Sequence, residues 1–389
     1  MTCVSIESAE MEPYTGTGKI VPPISQRPGK PVCISKPSVT IPFIEPFRLK
    51  QEFPLSGQAD STVQSARSTI CQILKKEDKR MLVITGPCSI HEEGAALEYA
   101  HRLRILQEEV RDSMFLVMRT YVEKPRTSIG WKGLVNDPRM DGSCDMTEGL
   151  RRARNLLVRI SEMGVPCATE MLEPLTPAYI EDAVAWAVIG ARTTESQIHR
   201  EMASGLSMPV GFKNSTDGSL TPALNAIMAA AKSHHFPGIN WMGQSCIVGT
   251  PGNPWGHLIL RGGKKTNYDP ASIQNACNVL LDRGLNPAIT VDCSHGNSGK
   301  DFRMQKTAWD YVIHQRTSGN ENIVGLMLES HLHEGRQNIC SDLSLLQYGV
   351  SVTDACISWE ETERLILSAH GRLKENMTNA NEESASDKI

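Results

Sequence analysis

Residues 81–118 read MLVITGPCSIHEEGAALEYAHRLRILQEEVRDSMFLVM. Two short apolar runs, at 81–85 and 115–118, flank a longer stretch whose apolar residues recur with helical spacing. Parallel strands need a crossover of this length, and that crossover is usually a helix. The stretch therefore predicts a strand, a helix and a second strand, and indicates an α/β protein.

The same alternation continues along the chain. Eight apolar runs are separated by amphipathic stretches, at 81–85, 115–118, 166–169, 185–190, 209–212, 257–260, 288–291 and 323–328. Eight such units predict the α/β class and a single (β/α)8 TIM barrel. An additional run at 245–250, with Gly252 and Gly256 after it, predicts an inserted hairpin just before the sixth strand.

The two ends of the chain differ in composition from the barrel. Residues 1–56 are rich in proline, serine and threonine and predict an extended, partly irregular N-terminal arm with one short edge strand. We expect the catalytic barrel to occupy 57–374 and to begin with a helix capped by Asp60 or Ser61. The polar residues 375–389 predict a disordered tail.

Composition excludes several classes of partner. The 389 residues carry a net charge of −4 and 5% aromatic side chains, which gives no electrostatic footprint for nucleic acid. No apolar run approaches the length of a membrane span. Eleven cysteines without a C-x-x-C pair favour reduced thiols, and no secretory signal is visible. We expect a cytoplasmic protein with no membrane partner.

One basic cluster stands out against this acidic background. Residues 119–133 read RTYVEKPRTSIGWKG, with four cations directly after the second predicted strand. A solvated basic loop is the simpler interpretation of such a cluster. Pro125, Gly130 and Gly133 instead indicate a specific turn, so we interpret the cluster as a site for a small anion.

Polar side chains also follow every predicted strand. In chain order they are Cys88, Arg119, Glu170, Arg192, Lys213, Arg261, His295 and Glu329. The carboxyl ends of the strands form the active-site rim of a TIM barrel. One such residue is expected by chance, but eight predict a catalytic site.

Four of the rim residues suit a metal ion. Cys88, His295 and Glu329, with Asp354, offer a thiolate, an imidazole and two carboxylates. This mixed set favours one divalent ion of Mn, Co, Fe or Zn over Mg or Ca, which prefer oxygen ligands. Each residue alone is more often structural, and only a barrel would bring the four together.

The cations give a second, independent indication. Six of them are expected at one rim: Arg119, Lys124, Arg126, Arg192, Lys213 and Arg261. Two phosphates and one carboxylate would carry roughly five negative charges. Arginine suits both groups because its guanidinium makes paired hydrogen bonds.

Several motifs in order resemble those of one known family. They are GPCSIH at 86–91, KPRT at 124–127, GWKG at 130–133, GARTTES at 190–196, GFKN at 211–214, LRGG at 260–263, DCSH at 292–295, ESH at 329–331 and TDAC at 353–356. Over about residues 50–374 the chain resembles the type I, metal-dependent 3-deoxy-D-arabino-heptulosonate 7-phosphate (DAHP) synthases, also named phospho-2-dehydro-3-deoxyheptonate aldolases.

The resemblance implies a role for each matching residue. The implied metal ligands are Cys88, His295, Glu329 and Asp354, the last also close to substrate. The implied phosphoenolpyruvate (PEP) site comprises Arg119, Lys124, Lys132, Glu170, Ala191, Arg192, Lys213 and Arg261. Arg126 and Thr127 are implied to hold the phosphate of erythrose 4-phosphate, and Lys124 to touch both substrates. Lys124, His295 and Cys88 are the implied catalytic residues.

The resemblance also implies the reaction. The PEP methylene carbon attacks the aldehyde of erythrose 4-phosphate, water adds at the enol carbon, and phosphate leaves. This is the first step of the shikimate pathway of aromatic amino acid biosynthesis, and a role in a secondary pathway stays open. A homodimer or homotetramer is implied as well.

Three departures from the family pattern are visible. Cys293 stands where the family usually has phenylalanine and would share a strand face with His295, as a bystander or a spare ligand. The resemblance suggests that Cys356 forms a disulfide with Cys88 when metal is absent. Residues 1–50 do not match the arm associated with an aromatic amino acid effector, and Ser207 is weak support for that site.

Two other functions compete with this one. A 3-deoxy-manno-octulosonate 8-phosphate synthase also joins PEP to a phosphorylated aldose, but KPRT at 124–127 favours the shorter sugar. A ligand-sensing barrel without catalysis is the second alternative. The full set of predicted ligands and cations argues against it.

Overall fold

The computed structural model describes residues 41–126, 129–340 and 342–386. The chain divides into two units, Met1–Pro42 and Phe43–Ile389, and only residues 41 and 42 of the first unit are described. Most of the predicted arm, residues 1–40, therefore lies outside the described residues. The second unit contains every described strand and helix.

Eight parallel strands close into a barrel, as the apolar runs predict. The strands of the second unit are β1 (Met81–Gly86), β2 (Met114–Arg119), β3 (Cys167–Glu170), β4 (Trp186–Ile189), β5 (Val210–Lys213), β6 (His234–Ile239), β7 (Ser245–Thr250), β8 (Gly256–Leu260), β9 (Ile289–Asp292) and β10 (Ile323–Glu329). The barrel order is β1, β2, β3, β4, β5, β8, β9 and β10, and β10 pairs with β1 to close it. The (β/α)8 fold is confirmed.

Helices connect the strands. They are α1 (Pro46–Glu52), α2 (Gly57–Leu74), α3 (Glu93–Val110), α4 (Met146–Glu162), α5 (Pro177–Ile180), α6 (Gln197–Gly205), α7 (Thr221–Ala230), α8 (Pro270–Asp282), α9 (Gln305–Thr317) and α10 (Trp359–Ser386). The predicted insertion before the sixth barrel strand is the antiparallel hairpin of β6 and β7. None of the described helices is long and apolar enough to cross a membrane.

Two layers of apolar side chains hold the barrel. The larger core lies between the strands and the surrounding helices, where residues such as Leu103 and Leu157 are fully buried. The smaller core joins the barrel interior to α2, whose Ile70, Ile73 and Leu74 pack with inward-facing strand residues. Helix α2 therefore covers one end of the barrel interior.

Three boundaries differ from those expected. Helix α2 begins at Gly57 rather than at Asp60 or Ser61, because the Ser56 hydroxyl caps it by accepting a hydrogen bond from Ala59 N at 3.2 Å. Part of the predicted arm is helical as α1, whose first residue is a proline that suits that position. Helix α10 continues to Ser386, into the predicted tail. The division into arm, barrel and tail stays a prediction.

Candidate active site

The carboxyl ends of the barrel strands surround a polar cavity of about 200 Å³. Its lining includes eight of the predicted substrate-binding residues: Arg119, Lys124, Arg126, Glu170, Ala191, Arg192, Lys213 and Arg261. His295 and Asp354 line it as well. The cavity holds six cations against two carboxylates, so it suits a ligand with several negative charges.

Arg119, at the end of β2, is the most buried of these cations. Its Nε donates to Pro87 O at 3.0 Å, and its Nη2 donates to Glu329 Oε1 at 2.8 Å. The guanidinium lies 3.6 Å from the centre of the Tyr121 ring. Its Nη1 is buried without a partner among the described residues. A buried donor without a partner is costly, and an anion in the cavity would satisfy it.

The backbone at the end of β1 is shaped to let Arg119 approach. Gly86 has a φ of +151°, and a Cβ at this position would lie 2.7 Å from Arg119 O. Only glycine therefore fits between the two strand ends. A similar contact occurs at Gly190, where a Cβ would overlap the Glu170 carboxylate.

Three of the four predicted metal ligands form one cluster, and His295 is close to one of them. One ligand atom each from Cys88, Glu329 and Asp354 lies within 4.8 Å of the other two. His295 Nε2 is 3.8 Å from Glu329 Oε1. A metal ion lies about 2.0–2.3 Å from each of its ligand atoms, so two ligand atoms of one ion are at most about twice that distance apart. The separations observed here are comparable. The nitrogen, sulfur and oxygen donors thus fit the divalent ion that the sequence predicts.

Burial and the neighbouring Lys124 shift the pKa of the Cys88 thiol in opposite directions. The side chain is fully buried and accepts a hydrogen bond from Lys124 Nζ at 3.2 Å. Burial, followed by the Glu329 carboxylate, raises the pKa of Cys88 to about 11, and Lys124 opposes the shift. Cys88 is therefore a thiol at neutral pH unless a bound cation replaces its proton.

His295 is held by Asp292, which is not among the predicted site residues. Its Nδ1 lies 3.0 Å from Asp292 Oδ2, and the same oxygen accepts a hydrogen bond from Lys213 Nζ at 2.6 Å. Burial alone would raise the pKa of Asp292, but Lys213 and His295 hold this pKa well below its usual value. Asp292 therefore stays ionised and leaves Nε2 of His295 facing the metal ligands.

The sequence profile of the DAHP synthetase I family matches residues 52–366. The chain belongs to the DAHP synthetase I family. It is 54% identical over 336 residues to the Tyr-sensitive phospho-2-dehydro-3-deoxyheptonate aldolase of Escherichia coli K12, covering 86% of this chain and 94% of that relative. It is 49% identical over 332 residues to the Phe-sensitive enzyme of that strain, covering 85% and 95%.

A solved structure of a family member agrees with the fold. The phospho-2-dehydro-3-deoxyheptonate aldolase of Francisella tularensis SCHU S4 superposes with a TM-score of 0.85 at 40% identity, over 87% of this chain and 99% of that one. The family resemblance that the motifs indicate is confirmed.

Not every predicted site residue of this DAHP synthetase I family chain lines the cavity. Lys132 is exposed and does not line it, although its carbonyl accepts a hydrogen bond from Lys124 N at 2.8 Å. Thr127 lies outside the described residues. The implied roles of both residues stay predictions.

The two cysteines singled out as departures have different surroundings. Cys293 is buried in the core between the strands and the helices, so it does not share a face with His295. The reason is that His295 has a φ of +57° and has left the strand geometry. This supports the bystander interpretation. Cys356 is a buried free thiol, and its disulfide with Cys88 stays a prediction.

Three residues at the site are not among the predicted site residues. Tyr121 lines the cavity and has a buried hydroxyl without a partner among the described residues. Asp292 follows a run of apolar residues and looks like an ordinary strand end. Gln305, the first residue of α9, hydrogen-bonds both backbone groups of Glu329, at 2.8 and 3.0 Å. Their roles depend on contacts across the barrel that no local pattern encodes.

Glu123, directly before Lys124, is a buried carboxyl group with a raised pKa. Its Oε1 accepts a hydrogen bond from Thr176 Oγ1 at 2.8 Å, and its Oε2 has no partner among the described side chains. Burial raises the pKa of Glu123 from 4.5 to about 8. The group is therefore protonated at neutral pH.

The Glu123→Gln variant should reveal this proton in the pH dependence of stability. A raised folded-state pKa contributes stability that is fully present below about pH 4.5 and is lost as pH rises through about 8. Glutamine is neutral at every pH, so the variant lacks this loss. The Tm of the variant minus the Tm of the parent should therefore increase between about pH 5 and pH 9. The gain corresponds to a few kcal/mol, at about 1.4 kcal/mol per pKa unit. Glu334→Gln, at an exposed position, is the control. A Tm difference independent of pH would contradict the assignment.

Proposed function

We propose that this chain is a DAHP synthase, which condenses PEP with erythrose 4-phosphate and water to give DAHP and phosphate. The observation that carries the proposal is Nη1 of Arg119, which has no partner among the described residues and is buried in a cavity of six cations beside the metal-ligand cluster. PEP offers the carboxylate and phosphate that such a cavity would bind. The aldehyde of the second substrate would then lie next to the cluster.

Cys88, His295, Glu329 and Asp354 would hold one divalent ion of Mn, Co, Fe or Zn. When bound, the ion supplies Lewis-acid polarisation of the aldehyde oxygen. Asp292 fixes His295 through Nδ1, and Gln305 fixes the backbone of Glu329. These contacts pre-organise two ligands from different strands, β9 and β10.

The cations would hold PEP rigidly. Arg119 is fixed by three hydrogen-bond acceptors, and Lys213 by Asp292. Side chains held in this way bind an anion without losing further freedom, and they present one face of the PEP double bond to the aldehyde. Lys124 lines the cavity, and its Nζ is 3.2 Å from Cys88 Sγ. In this proposal it would contact both substrates.

A short assay matrix tests the function against both alternatives. Consumption of PEP is followed with erythrose 4-phosphate or arabinose 5-phosphate, with and without a chelator. We expect turnover with erythrose 4-phosphate, lost on chelation and restored by Mn²⁺. Preference for arabinose 5-phosphate would indicate the octulosonate synthase, and no turnover with either sugar would favour the sensing barrel. Full activity after thorough chelation would contradict the metal site.

Replacing Arg126 by alanine tests how the two substrates are divided. We expect the KM for erythrose 4-phosphate to rise about 10- to 100-fold, the effect of one charge-assisted hydrogen bond to phosphate. The KM for PEP should change less than about threefold, because Arg119, Lys213 and Arg261 remain. Steady-state kinetics with each substrate varied in turn measures both values. Equal increases in the two KM values would refute the division.

We also propose that an aromatic amino acid regulates the enzyme. The relatives named above are Tyr-sensitive and Phe-sensitive. An apolar cavity of about 500 Å³ lies between α5, α6 and the β6–β7 hairpin. Its lining includes Leu175, Ile198, Met202, Leu206, Phe236 and Val248, with the carboxylates of Glu181 and Glu201. Such a cavity suits an aromatic ring with an ammonium group. Ser207 instead accepts a hydrogen bond from Arg67 at 2.9 Å.

Titration of phenylalanine, tyrosine and tryptophan against the initial rate tests this regulation. At least one should inhibit, and Ile198→Trp, which fills the cavity from α6, should weaken that inhibition while leaving the uninhibited rate unchanged. No inhibition by any of the three would contradict regulation and favour an enzyme of a secondary pathway. Unchanged inhibition in the variant would contradict the cavity.

A homodimer or homotetramer is the proposed assembly. Apolar side chains on α1 and the hairpin are solvent-exposed in the single chain, with Phe47 at 41%, Trp241 at 62% and Ile247 at 79%. An exposed apolar patch of this kind is typical of a contact between subunits, and we assign it to a second copy of this chain. Light scattering should give a multiple of the chain mass, and Ile247→Asp should reduce it. A monomeric parent protein would contradict the proposal.

A further inference from the structure

The active-site cavity has two neighbours that share its wall. One, of about 370 Å³, is lined in part by Arg126, Trp131 and Asp354. The other, of about 430 Å³, is lined in part by Arg192, Arg261, His295 and Asp354. We call them the first and second outer cavities. All three cavities meet at Asp354.

Arg336 lines both outer cavities. It lies in the segment after β10, where the backbone is anchored on each side. Gly335 and Cys356 exchange backbone hydrogen bonds at 2.8 and 3.1 Å, and Gln337 N donates to Ser351 O at 2.8 Å. The backbone position of Arg336 is therefore fixed relative to Asp354 and to the end of β10.

The side chain of Arg336, in contrast, has no partner among the residues that the structure describes. It is exposed, and no hydrogen bond or ion pair of its guanidinium is found within residues 41–126, 129–340 and 342–386. Another exposed arginine of this chain, Arg364, pairs with the carboxylate of Glu361 at 2.6 Å. A guanidinium that is positioned by its backbone and left without a partner suits an anion that arrives from solution.

The lining of the first outer cavity indicates which anion Arg336 would bind. It extends from Asp354, a proposed metal ligand, to Arg126, the proposed ligand of the aldose phosphate. An aldose phosphate whose aldehyde lies at the metal ligands and whose phosphate reaches Arg126 would occupy this cavity. Arg126 and Arg336 are the only cations in its described lining. A phosphate with about two negative charges has enough oxygens for both guanidinium groups.

We propose that Arg336 is a second phosphate-binding residue for the aldose substrate, which it holds together with Arg126. The inference rests on the proposed DAHP synthase function. It assigns a binding role to the loop after the last barrel strand, which lines the first outer cavity together with the segment after β2. The two arginines would fix the distance between the aldehyde and the phosphate, and hence the length of sugar accepted.

Arg336→Ala and Arg336→Lys test the assignment in the metal-loaded enzyme, with both KM values measured for each variant. We expect the alanine variant to raise the KM for erythrose 4-phosphate about 5- to 30-fold, and lysine to restore part of the loss. The KM for PEP should stay within about twofold, and kcat within about threefold. Arg303→Ala, an exposed arginine between β9 and α9 that lines none of the three cavities, should leave all three values unchanged.

The outcomes separate the inference from the function on which it rests. No turnover by the parent enzyme with PEP and erythrose 4-phosphate would overturn both. Parent-like kinetics of Arg336→Ala in an active enzyme would overturn the inference alone. A rise confined to the KM for PEP would also overturn it, because Arg336 would then serve the second outer cavity beside Arg192 and Arg261. An equal rise of the KM for erythrose 4-phosphate in Arg303→Ala would mean that the loss of surface charge, and not a contact with the phosphate, causes the effect. It would therefore overturn the inference as well.

Discussion

Replacing Cys88 by alanine should remove the bound metal and lower kcat by about 1000-fold or more. Cys88 supplies the only sulfur atom in the cluster with Glu329 and Asp354. Its side chain is fully buried and accepts a hydrogen bond from Lys124, so alanine would leave this position of the cluster without a ligand atom. Metal content per chain after dialysis, measured by mass spectrometry, and kcat with added Mn²⁺ give the two readouts.

Cys293→Ala is the matched control, since this thiol is buried close to His295 in sequence but packs in the outer core. We expect normal metal content and a kcat within about threefold of the parent, with a lower Tm from the small cavity. Metal loss in the Cys293 variant would revive the spare-ligand interpretation. Retention of metal and activity in Cys88→Ala would remove Cys88 from the ligand set.

Replacing Arg119 by lysine should lower kcat/KM for PEP by about 100-fold or more. Lysine keeps the positive charge near Glu329 but loses the planar fork that donates to Pro87 O, Cys88 O and Glu329 while presenting Nη1 to the cavity. Alanine would instead leave the buried Glu329 carboxylate without its partner, which costs about 3–5 kcal/mol of stability. Lysine therefore separates the binding effect from unfolding.

Arg154→Lys is the control for a buried arginine outside the site. Arg154, 1% exposed like Arg119, donates to both oxygens of Asp182 and to Phe53 O and Tyr179 O. Its replacement should lower Tm and leave the KM for PEP unchanged. If Arg154→Lys and Arg119→Lys lower kcat/KM equally, Arg119 acts through stability and not through PEP.

The barrel could be predicted because its strands are buried on both faces and so appear as continuous apolar runs. The predicted run at 209–212, for example, is β5 at Val210–Lys213. The hairpin before the sixth barrel strand is predicted from the run at 245–250, but no apolar run marks its first strand, β6, for the opposite reason. Its sequence, HHFPGI, contains two histidines and Pro237, and its residues are only partly buried because the strand pairs with β7 outside the barrel.

Some residues of the site could be predicted from the sequence and others could not, again for a physical reason. Residues that end a strand, such as Arg119 and Glu329, were predictable because the fold brings all strand ends to one rim. Asp292 and Gln305 were not, since their importance comes from partners on other elements. Arg336 lies in an irregular loop after the last strand, where no periodicity indicates the direction of a side chain.

The closure of the barrel has a consequence for synthesis. β10 pairs with β1, with Gly86 opposite Glu329, and the four proposed metal ligands lie at the end of, or after, the adjoining strands β1, β9 and β10. The first of these ligands leaves the ribosome some two-thirds of the chain before the last. A nascent chain therefore cannot assemble the full ligand set until the segment after β10 has emerged. An interrupted or truncated product would carry most of the barrel without the complete centre.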